Sequence, residues 1–309
     1  MSPAPTQSQD LKALLRSDGV AKLAIVFCAT AWGISFFIMK DAISQMPVPF
    51  LLTVRFALAA ALMFVLFRHR VFDRLDRRCM RVGLLLGIAD WGAYALQTVG
   101  LAYTTPGKNA FLTGCYCVIV PFAAWAIGRG RPSRLAVLAA GLCVVGLGFV
   151  ALDAGPEPNV GDVLTFACAV LFAFQMALTS KLSVGLDIWV LTSWEMLAMG
   201  AASAVWMVGT GGYPTPDILT PANVEVLVFL GVVCSAGCSC LLNYGLTVVD
   251  PSVGALLSSL ESPIGVVSSV VFAGEVLTGR LVVGLALIAA AIVLSEMAPK
   301  IAERLGRVG

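Results

Sequence analysis

Ten apolar stretches, each close to the length that crosses a bilayer, dominate this sequence. A transmembrane helix needs about 20 mostly apolar residues. Short connections rich in proline and glycine separate the stretches and leave no room for a soluble domain. The sequence therefore predicts one all-α integral membrane domain over residues 1–309. The stretches cover residues 23–39, 50–67, 82–101, 110–127, 135–152, 163–180, 188–208, 224–245, 253–273 and 281–297.

The basic residues predict the orientation of these spans. Cytoplasmic connections of membrane proteins carry an excess of Lys and Arg. If the stretches alternate in direction, sixteen Lys and Arg lie on the side of both termini, and only Lys40, Lys108 and Arg280 lie on the other side. We therefore expect a multi-pass protein of the inner (plasma) membrane with cytoplasmic termini. The first stretch lacks an obvious cleavage site, so we expect it to be a retained span.

Composition narrows the classes of function. The chain is 59% hydrophobic and 12% charged, and its net charge of +2 gives no reason to expect a nucleic-acid partner. Its one histidine, His69, lies in a basic connection, so an in-membrane Ser/His pair or a His-ligated metal is not available. Eight of the nine cysteines lie in apolar stretches, which is typical of packing residues. We expect no cofactor, no metal and no enzymatic activity.

An internal repeat relates the two halves. A shift of 145 residues pairs Gly100 with Gly245 and Pro106 with Pro251 without a gap. The halves, residues 22–152 and 160–298, hold five stretches each. Because five is odd, the second half enters the membrane in the opposite sense. Inverted repeats of this kind are characteristic of transporters, whose substrate site lies near the midplane between the halves. The predicted fold is thus ten transmembrane helices in two inverted five-helix repeats around a central cavity.

Polar residues at helical spacing predict which faces line that cavity. Four stretches carry such a stripe, and the 145-residue shift superposes them in part. The alternative is that the Ser and Thr members only join helices. Glu195 and the acids of the stripes need a partner, a proton or water, and Arg55 is either a structural ion-pair partner or an anchor for a substrate carboxylate. The stripes are Asp90, Tyr94 and Gln97; Asn109, Thr113 and Tyr116; Ser235, Ser239 and Asn243; and Ser258, Glu261, Gly265 and Ser268.

Aromatic residues form a second pattern within the stretches. Trp and Tyr are common at membrane interfaces, which accounts for most of them. Trp32, Tyr94 and Tyr116 lie deeper or share a polar stripe, so they predict an aromatic site for a flat or apolar substrate.

The sequence resembles the drug/metabolite transporter superfamily, specifically its EamA-type ten-span transporters. The resemblance lies in AWGISFFIMK from Ala31, in Pro49 with Arg55 and Phe56, and in the segments GLAYTTPGKNAFLTGCYCVIVPF and YGLTVVDPSVGALLSSLESPIGVVSSVVFAGEVLTG. It implies a basket of helices around a cavity that opens alternately to either side, with transport that needs no nucleotide hydrolysis. YddG-like exporters of aromatic amino acids are among the members. The first half has Gly128-Arg129 where the family commonly has Gly-Glu, and this departure bears on gating.

The leading hypothesis is a secondary transporter that exports amino acids with aromatic or other apolar side chains, or related small metabolites. We expect a small-molecule substrate and the lipid bilayer as partners, with the chain working as a monomer. The alternatives are export of drugs or sugar-related metabolites, an intramembrane enzyme, and a sensor without transport. The candidate substrate-binding residues are Trp32, Phe36, Asp90, Tyr94, Gln97, Asn109, Tyr116, Gln175, Asn243 and Glu261.

Overall fold

A computed structural model describes residues 18–73, 76–128, 130–151, 159–249 and 257–306. Within these ranges the chain is helical and contains no strand. The helices are α1 Asp18–Gln45, α2 Val48–Leu66, α3 Arg68–Phe72, α4 Arg77–Tyr103, α5 Pro106–Gly114, α6 Tyr116–Ala126, α7 Arg134–Ala151, α8 Val160–Leu182, α9 Ile188–Thr210, α10 Pro221–Val228, α11 Cys238–Val248, α12 Glu261–Ala273 and α13 Gly279–Gly306. A 3₁₀ turn, Pro216–Ile218, precedes α10, and a π-helical segment, Phe229–Gly237, joins α10 to α11.

Seven helical stretches in the described ranges are long and apolar enough to cross a membrane: Asp18–Gln45, Val48–Leu66, Arg77–Tyr103, Pro106–Ala126, Val160–Leu182, Ile188–Thr210 and Pro221–Gly245. Three shorter apolar helices cover Arg134–Phe149, Glu261–Ala273 and Gly279–Ser295. Large apolar side chains such as Leu23, Val65 and Val205 are about two-thirds or more exposed on the outside of the bundle. Such a surface suits lipid, so the chain is a helical membrane protein.

Polar side chains start several helices by accepting a hydrogen bond from a free backbone N–H in the first turn. Asn159 accepts from Gly161 N at 2.7 Å to begin α8, and Asp187 accepts from Trp189 N at 3.0 Å to begin α9. Proline follows the capping threonine at the starts of α5 and α10. Pro106 and Pro221 therefore mark helix starts, as expected for proline in a first turn.

Two stretches that the sequence predicted as continuous helices are interrupted. The fourth is interrupted at Cys115, where α5 ends and α6 begins. Pro121, inside α6, offers no N–H and excludes a normal bond to the carbonyl of Cys117, and that carbonyl accepts instead from Ser295 Oγ at 3.2 Å. In the ninth stretch α12 begins at Glu261, just before Pro263, so Ser258 and Glu261 do not share one continuous helix.

The buried core has two main parts. The larger packs α1, α2, α9 and the π-helical segment around Leu51, Phe56 and Met199. The smaller packs α5, α6, α7 and α13 around Leu112 and Ile288. Close helix crossings depend on glycine: a Cβ at Gly100 would lie 2.7 Å from Thr165 Oγ1 on α8.

The two ends of the bundle are distinguished by their turns. At the end where α1 meets α2, which we call the first-turn end, Lys40 Nζ donates to the carbonyls of Leu101 at 2.7 Å, Ala102 at 3.1 Å and Thr104 at 2.9 Å. These carbonyls lie at the C-terminal end of α4, where they have no partners within the helix. A cation there donates hydrogen bonds to them and interacts favourably with the negative end of the helix dipole. At the opposite end Arg70 lies 3.4 Å from Asp187. The predicted boundary between the two repeats, near residues 152–158, lies outside the described residues, and so do the basic residues counted within residues 1–17.

Candidate substrate site

Arg55, on α2, is the centre of a polar group inside the bundle. It is only 2% exposed. Its Nε donates to Ser235 Oγ at 2.9 Å, and its Nη1 lies 3.6 Å from Met39 Sδ. The guanidinium carbon lies 5.0 Å from the ring centre of Tyr94 and 5.3 Å from that of Phe56. Cation–π contacts of this kind stabilise a desolvated guanidinium without neutralising its charge.

The π-helical segment places the hydroxyl that Arg55 uses. Ser235 Oγ donates to the carbonyl of Leu230, five residues earlier, at 2.9 Å, while it accepts from Arg55. On the neighbouring residue, the carbonyl of Cys234 accepts from Trp32 Nε1 at 2.7 Å. A π-helical turn widens the helix and is frequently found at functional sites. Through these contacts the π-helical segment joins α1 and α2 around one buried cation, Arg55.

Two carboxylates share the surroundings of Arg55. Asp90, on α4, and Glu261, the first residue of α12, are both close enough for the charge of Arg55 to act on them. Neither forms an ion pair with Arg55 within 4.0 Å, although all three residues lie in the described ranges. Both acids are half-buried rather than fully buried. The site therefore holds one basic and two acidic side chains that are near one another but not in contact.

An aromatic wall lies beside these charges. Tyr94 makes edge contacts with Phe56 and with Phe172 on α8, each at 5.2 Å between ring centres. Tyr116, the first residue of α6, lies 6.3 Å from the same Phe172. Tyr94, Phe172 and Tyr116 are all half-buried, so the wall is partly open. Edge-on aromatic pairs leave ring faces available for a further flat group.

The other predicted residues are distributed around this group. Trp32 is half-buried, while Phe36 is 2% exposed and lies against Gly265 on α12. Gln175 is half-buried on α8, three residues after Phe172, and therefore lies on a similar face. Asn243 is half-buried on α11, and its Nδ2 donates to Thr192 Oγ1 on α9 at 3.3 Å.

Gln97 and Asn109 lie in a buried network that joins α4, α5 and α8. Asn109 is fully buried, and its Nδ2 donates to Thr165 Oγ1 at 2.7 Å and to the carbonyl of Gln97 at 3.2 Å. Gln97 Nε2 donates to Thr113 Oγ1 at 3.1 Å. Their donors are engaged by the protein itself, so the two amides join helices in this conformation. The side-chain amide oxygen of Asn109, Oδ1, has no hydrogen-bond partner among the described residues.

The sequence left open the role of Arg55, the residue at the centre of this polar group. Arg55 was predicted as either an ion-pair partner or a substrate anchor, and its lone basic charge within a span was the available signal. Phe172 gave no signal, because one phenylalanine in an apolar stretch resembles many others. The π-helical segment was also missed, since the hydropathy of residues 229–237 is the same whether the turn is α or π.

Ionisable groups inside a bundle of lipid-facing helices define a class of membrane protein that moves or senses polar solutes. The model of the EamA-like transporter family matches residues 20–152 and again residues 159–297. The chain belongs to the EamA-like transporter family and is a membrane transporter. The predicted superfamily is confirmed.

Known relatives agree with this assignment. An uncharacterized transporter of Archaeoglobus fulgidus is 28% identical over 278 residues, covering 90% of this chain and 86% of the relative. A second uncharacterized transporter of the same organism is 24% identical over 234 residues, covering 74% and 80%. One solved crystal structure superposes with a TM-score of 0.63 at 20% identity, covering 90% of this chain and 98% of the other, so it shares the fold.

Proposed function

We propose that this transporter is a secondary exporter of amino acids with aromatic or other apolar side chains, or of closely related small metabolites. It works by alternating access around the group centred on Arg55, without nucleotide hydrolysis. The observation that carries the proposal is the arrangement of one buried cation and two carboxylates beside an aromatic wall.

The proposed architecture has ten spans in two inverted five-helix repeats, residues 22–152 and 160–298. The double match of one family model to residues 20–152 and 159–297 supports two related halves. The three shorter apolar helices supply the spans beyond the seven long ones. The distribution of Lys and Arg supports cytoplasmic termini in the inner membrane. In this proposal the chain acts as a monomer.

The charges suit a zwitterion. An α-amino acid carries a carboxylate and an ammonium group on neighbouring carbon atoms, so it needs opposite charges close together but not neutralised by each other. In this proposal Arg55 binds the carboxylate, and Asp90 or Glu261 binds the ammonium group. Because Arg55 is 2% exposed beneath Tyr94, the carboxylate reaches it after the tyrosine ring turns aside. A planar guanidinium is suited to bidentate carboxylate binding.

The side chain of the substrate lies against the aromatic wall. Tyr94 and Tyr116 stack on it, and Trp32 borders it from α1. Gln175 and Asn243 hydrogen-bond to polar atoms at the rim, while Gln97 and Asn109 hold the wall in place from behind. An apolar or aromatic side chain is favoured here because it requires no hydrogen-bond partner.

Competition in counterflow tests the two charge contacts separately. Purified protein in proteoliposomes loaded with tryptophan exchanges radiolabelled tryptophan, and two analogues are added outside. Tryptamine lacks the carboxylate and indole-3-propionate lacks the ammonium group, so each loses one contact and should compete at least tenfold less well than tryptophan, a difference of about 1.4 kcal/mol.

Arg55→Lys separates a binding role from a structural one. Lysine keeps the charge but cannot hold Ser235 and a carboxylate with one planar fork. We expect folded Arg55→Lys protein to lose most tryptophan exchange, while the exposed control Arg131→Lys exchanges as the wild type does. Equal competition by tryptamine and tryptophan would refute the carboxylate contact. Exchange of drugs or other metabolites but of no amino acid would refute the substrate class.

A further inference from the structure

Glu195 lies outside the group around Arg55, where α9 crosses α4 most closely. A Cβ added at Gly87 would lie 2.5 Å from the carbonyl oxygen of Glu195 and 2.9 Å from its Cα. Only glycine at this position permits so short an approach. Asp90 follows Gly87 by three residues, so it lies one turn along a similar face of α4. The crossing therefore brings two carboxylates, Glu195 and Asp90, near each other.

No ion pair or hydrogen bond of the Glu195 carboxylate is found among the described residues. The residue is 8% exposed, and its Oε1 is buried without a hydrogen bond among the described residues. The charge that acts on it is that of Asp90, another acid. Arg55, the sole ionisable residue of α2, is instead directed to Ser235 and Met39. The ionisable residues on the helices packed against α9 are Arg55 on α2; Arg77, Arg78, Cys79, Arg81, Asp90, Tyr94 and Tyr103 on α4; and Cys238, Cys240 and Tyr244 on α11.

Ionising two neighbouring acids in an apolar interior has a high free-energy cost. Each isolated carboxylate costs about 2.5 kcal/mol or more at the centre of a membrane, and like charges add repulsion. One proton shared between the two removes the repulsion and leaves a single negative charge on the pair. We propose that Glu195 and Asp90 form a proton-binding site that couples transport to a proton gradient. This inference rests on the proposed function.

A polar cleft lies between this site and the opposite end of the bundle. The cleft has a volume of about 510 Å³, and Asp76, Cys79, Asp187 and Val190 are among its lining residues. Val190 precedes Glu195 by five residues, about 7.5 Å along α9 at about 1.5 Å per residue. This distance is short enough for a proton to reach Glu195 from the cleft when the helices move apart slightly.

A dry barrier separates the cleft from Glu195. Leu86 and Leu191 are both 0% exposed there, so closely packed apolar side chains lie between the cleft and the carboxylate in this conformation. On the inner side, Asp90 is half-buried and borders the substrate site. When a substrate ammonium group approaches Asp90, its positive charge replaces that of the shared proton. The proton then leaves the carboxyl oxygen of Glu195 for water in the cleft, so the charge around the two carboxylates stays the same, while Arg55 balances the carboxylate of the substrate.

A proton gradient imposed on proteoliposomes tests the inference. Radiolabelled tryptophan is supplied at equal concentration on both sides, and its accumulation is compared with counterflow in the same preparation. We expect the wild type to accumulate tryptophan and Glu195→Gln to lose accumulation at least tenfold relative to its counterflow. The control Glu225→Gln makes the same chemical change at an exposed position and should accumulate normally. Restored accumulation in Glu195→Asp would show that the carboxyl group itself is required.

The outcomes distinguish the two proposals. Wild-type counterflow without any response to the gradient overturns the proton site and leaves the proposed function intact. Failure of counterflow in folded wild-type protein overturns the proposed function. Infrared spectroscopy gives a readout that needs no substrate: the C=O stretch of a protonated carboxylic acid should be present in the wild type and in Glu225→Gln and lost in Glu195→Gln. An unchanged band in Glu195→Gln contradicts the shared proton, even if that variant transports poorly.

Discussion

The close crossing of α4 and α9 predicts a large effect of one methyl group at Gly87. A Cβ there would lie 2.5 Å from the Glu195 carbonyl oxygen, 2.9 Å from Glu195 Cα and 2.7 Å from Ala198 Cβ. Two of these are backbone atoms of a long helix, so the helices must separate locally by about 1 Å to restore ordinary contact distances near 3.5 Å. Overpacking of this kind costs about 1–3 kcal/mol. At roughly 2–4 °C per kcal/mol, Gly87→Ala should lower the melting temperature by about 5 °C.

Gly92→Ala is the matched control on the same helix. Its added Cβ would meet only Leu171 Cδ1, at 3.5 Å, and replacing a helical glycine by alanine gains up to about 1 kcal/mol. The two variants should therefore change the melting temperature in opposite directions. A thiol-reactive fluorogenic dye reports unfolding in detergent, because eight of the nine free cysteines are buried. If Gly87→Ala melts at or above the wild-type temperature, the close crossing, and with it the pairing of Glu195 and Asp90, is wrong.

Three further variants test other contacts by the same melting assay. Lys40→Met removes a cation from three carbonyls at the end of α4, so it should lower the melting temperature by several degrees, and an unchanged value would mean that the cap is not formed. Glu275→Gln should also be destabilising, since the carboxylate accepts from Thr105 Oγ1 at 2.5 Å and Gly107 N at 3.1 Å, and charged hydrogen bonds contribute about 1.5–3 kcal/mol. Exposed Glu225→Gln, by contrast, should melt as the wild type does. Asn109→Ala should lower the melting temperature because it breaks the buried network between α4, α5 and α8; wild-type stability would refute that role.

Much of the helical framework could be predicted from the sequence because long apolar runs are a strong signal in a membrane protein. The positions of Pro106 and Pro221 as helix starts follow from local chemistry. The break at Cys115 could not be placed from hydropathy, because the apolar run continues through it. The partner that the carbonyl of Cys117 finds on α13 gave no signal in the sequence either. The ten-span count and the inverted repeat stay predictions.

The candidate site was harder to predict than the helices. Helical spacing assigned Asp90, Tyr94 and Gln97 to one stripe, yet Asp90 and Tyr94 border the group around Arg55 while Gln97 lies in a buried network. Both roles require polar residues on an inward face, so spacing alone cannot separate them. Ser235, which contacts Arg55, lies in the π-helical segment, where the α-helical spacing used for the stripe does not apply.

The substrate class is tested most directly by counterflow in proteoliposomes that contain the purified wild-type protein. Radiolabelled tryptophan and phenylalanine are compared with lysine and glutamate at the same concentration. We predict saturable exchange of the two aromatic amino acids, little exchange of the two charged ones, and loss of the aromatic exchange in Tyr116→Ala. Failure of all four amino acids in protein shown to be folded would contradict amino acid transport by the site around Arg55.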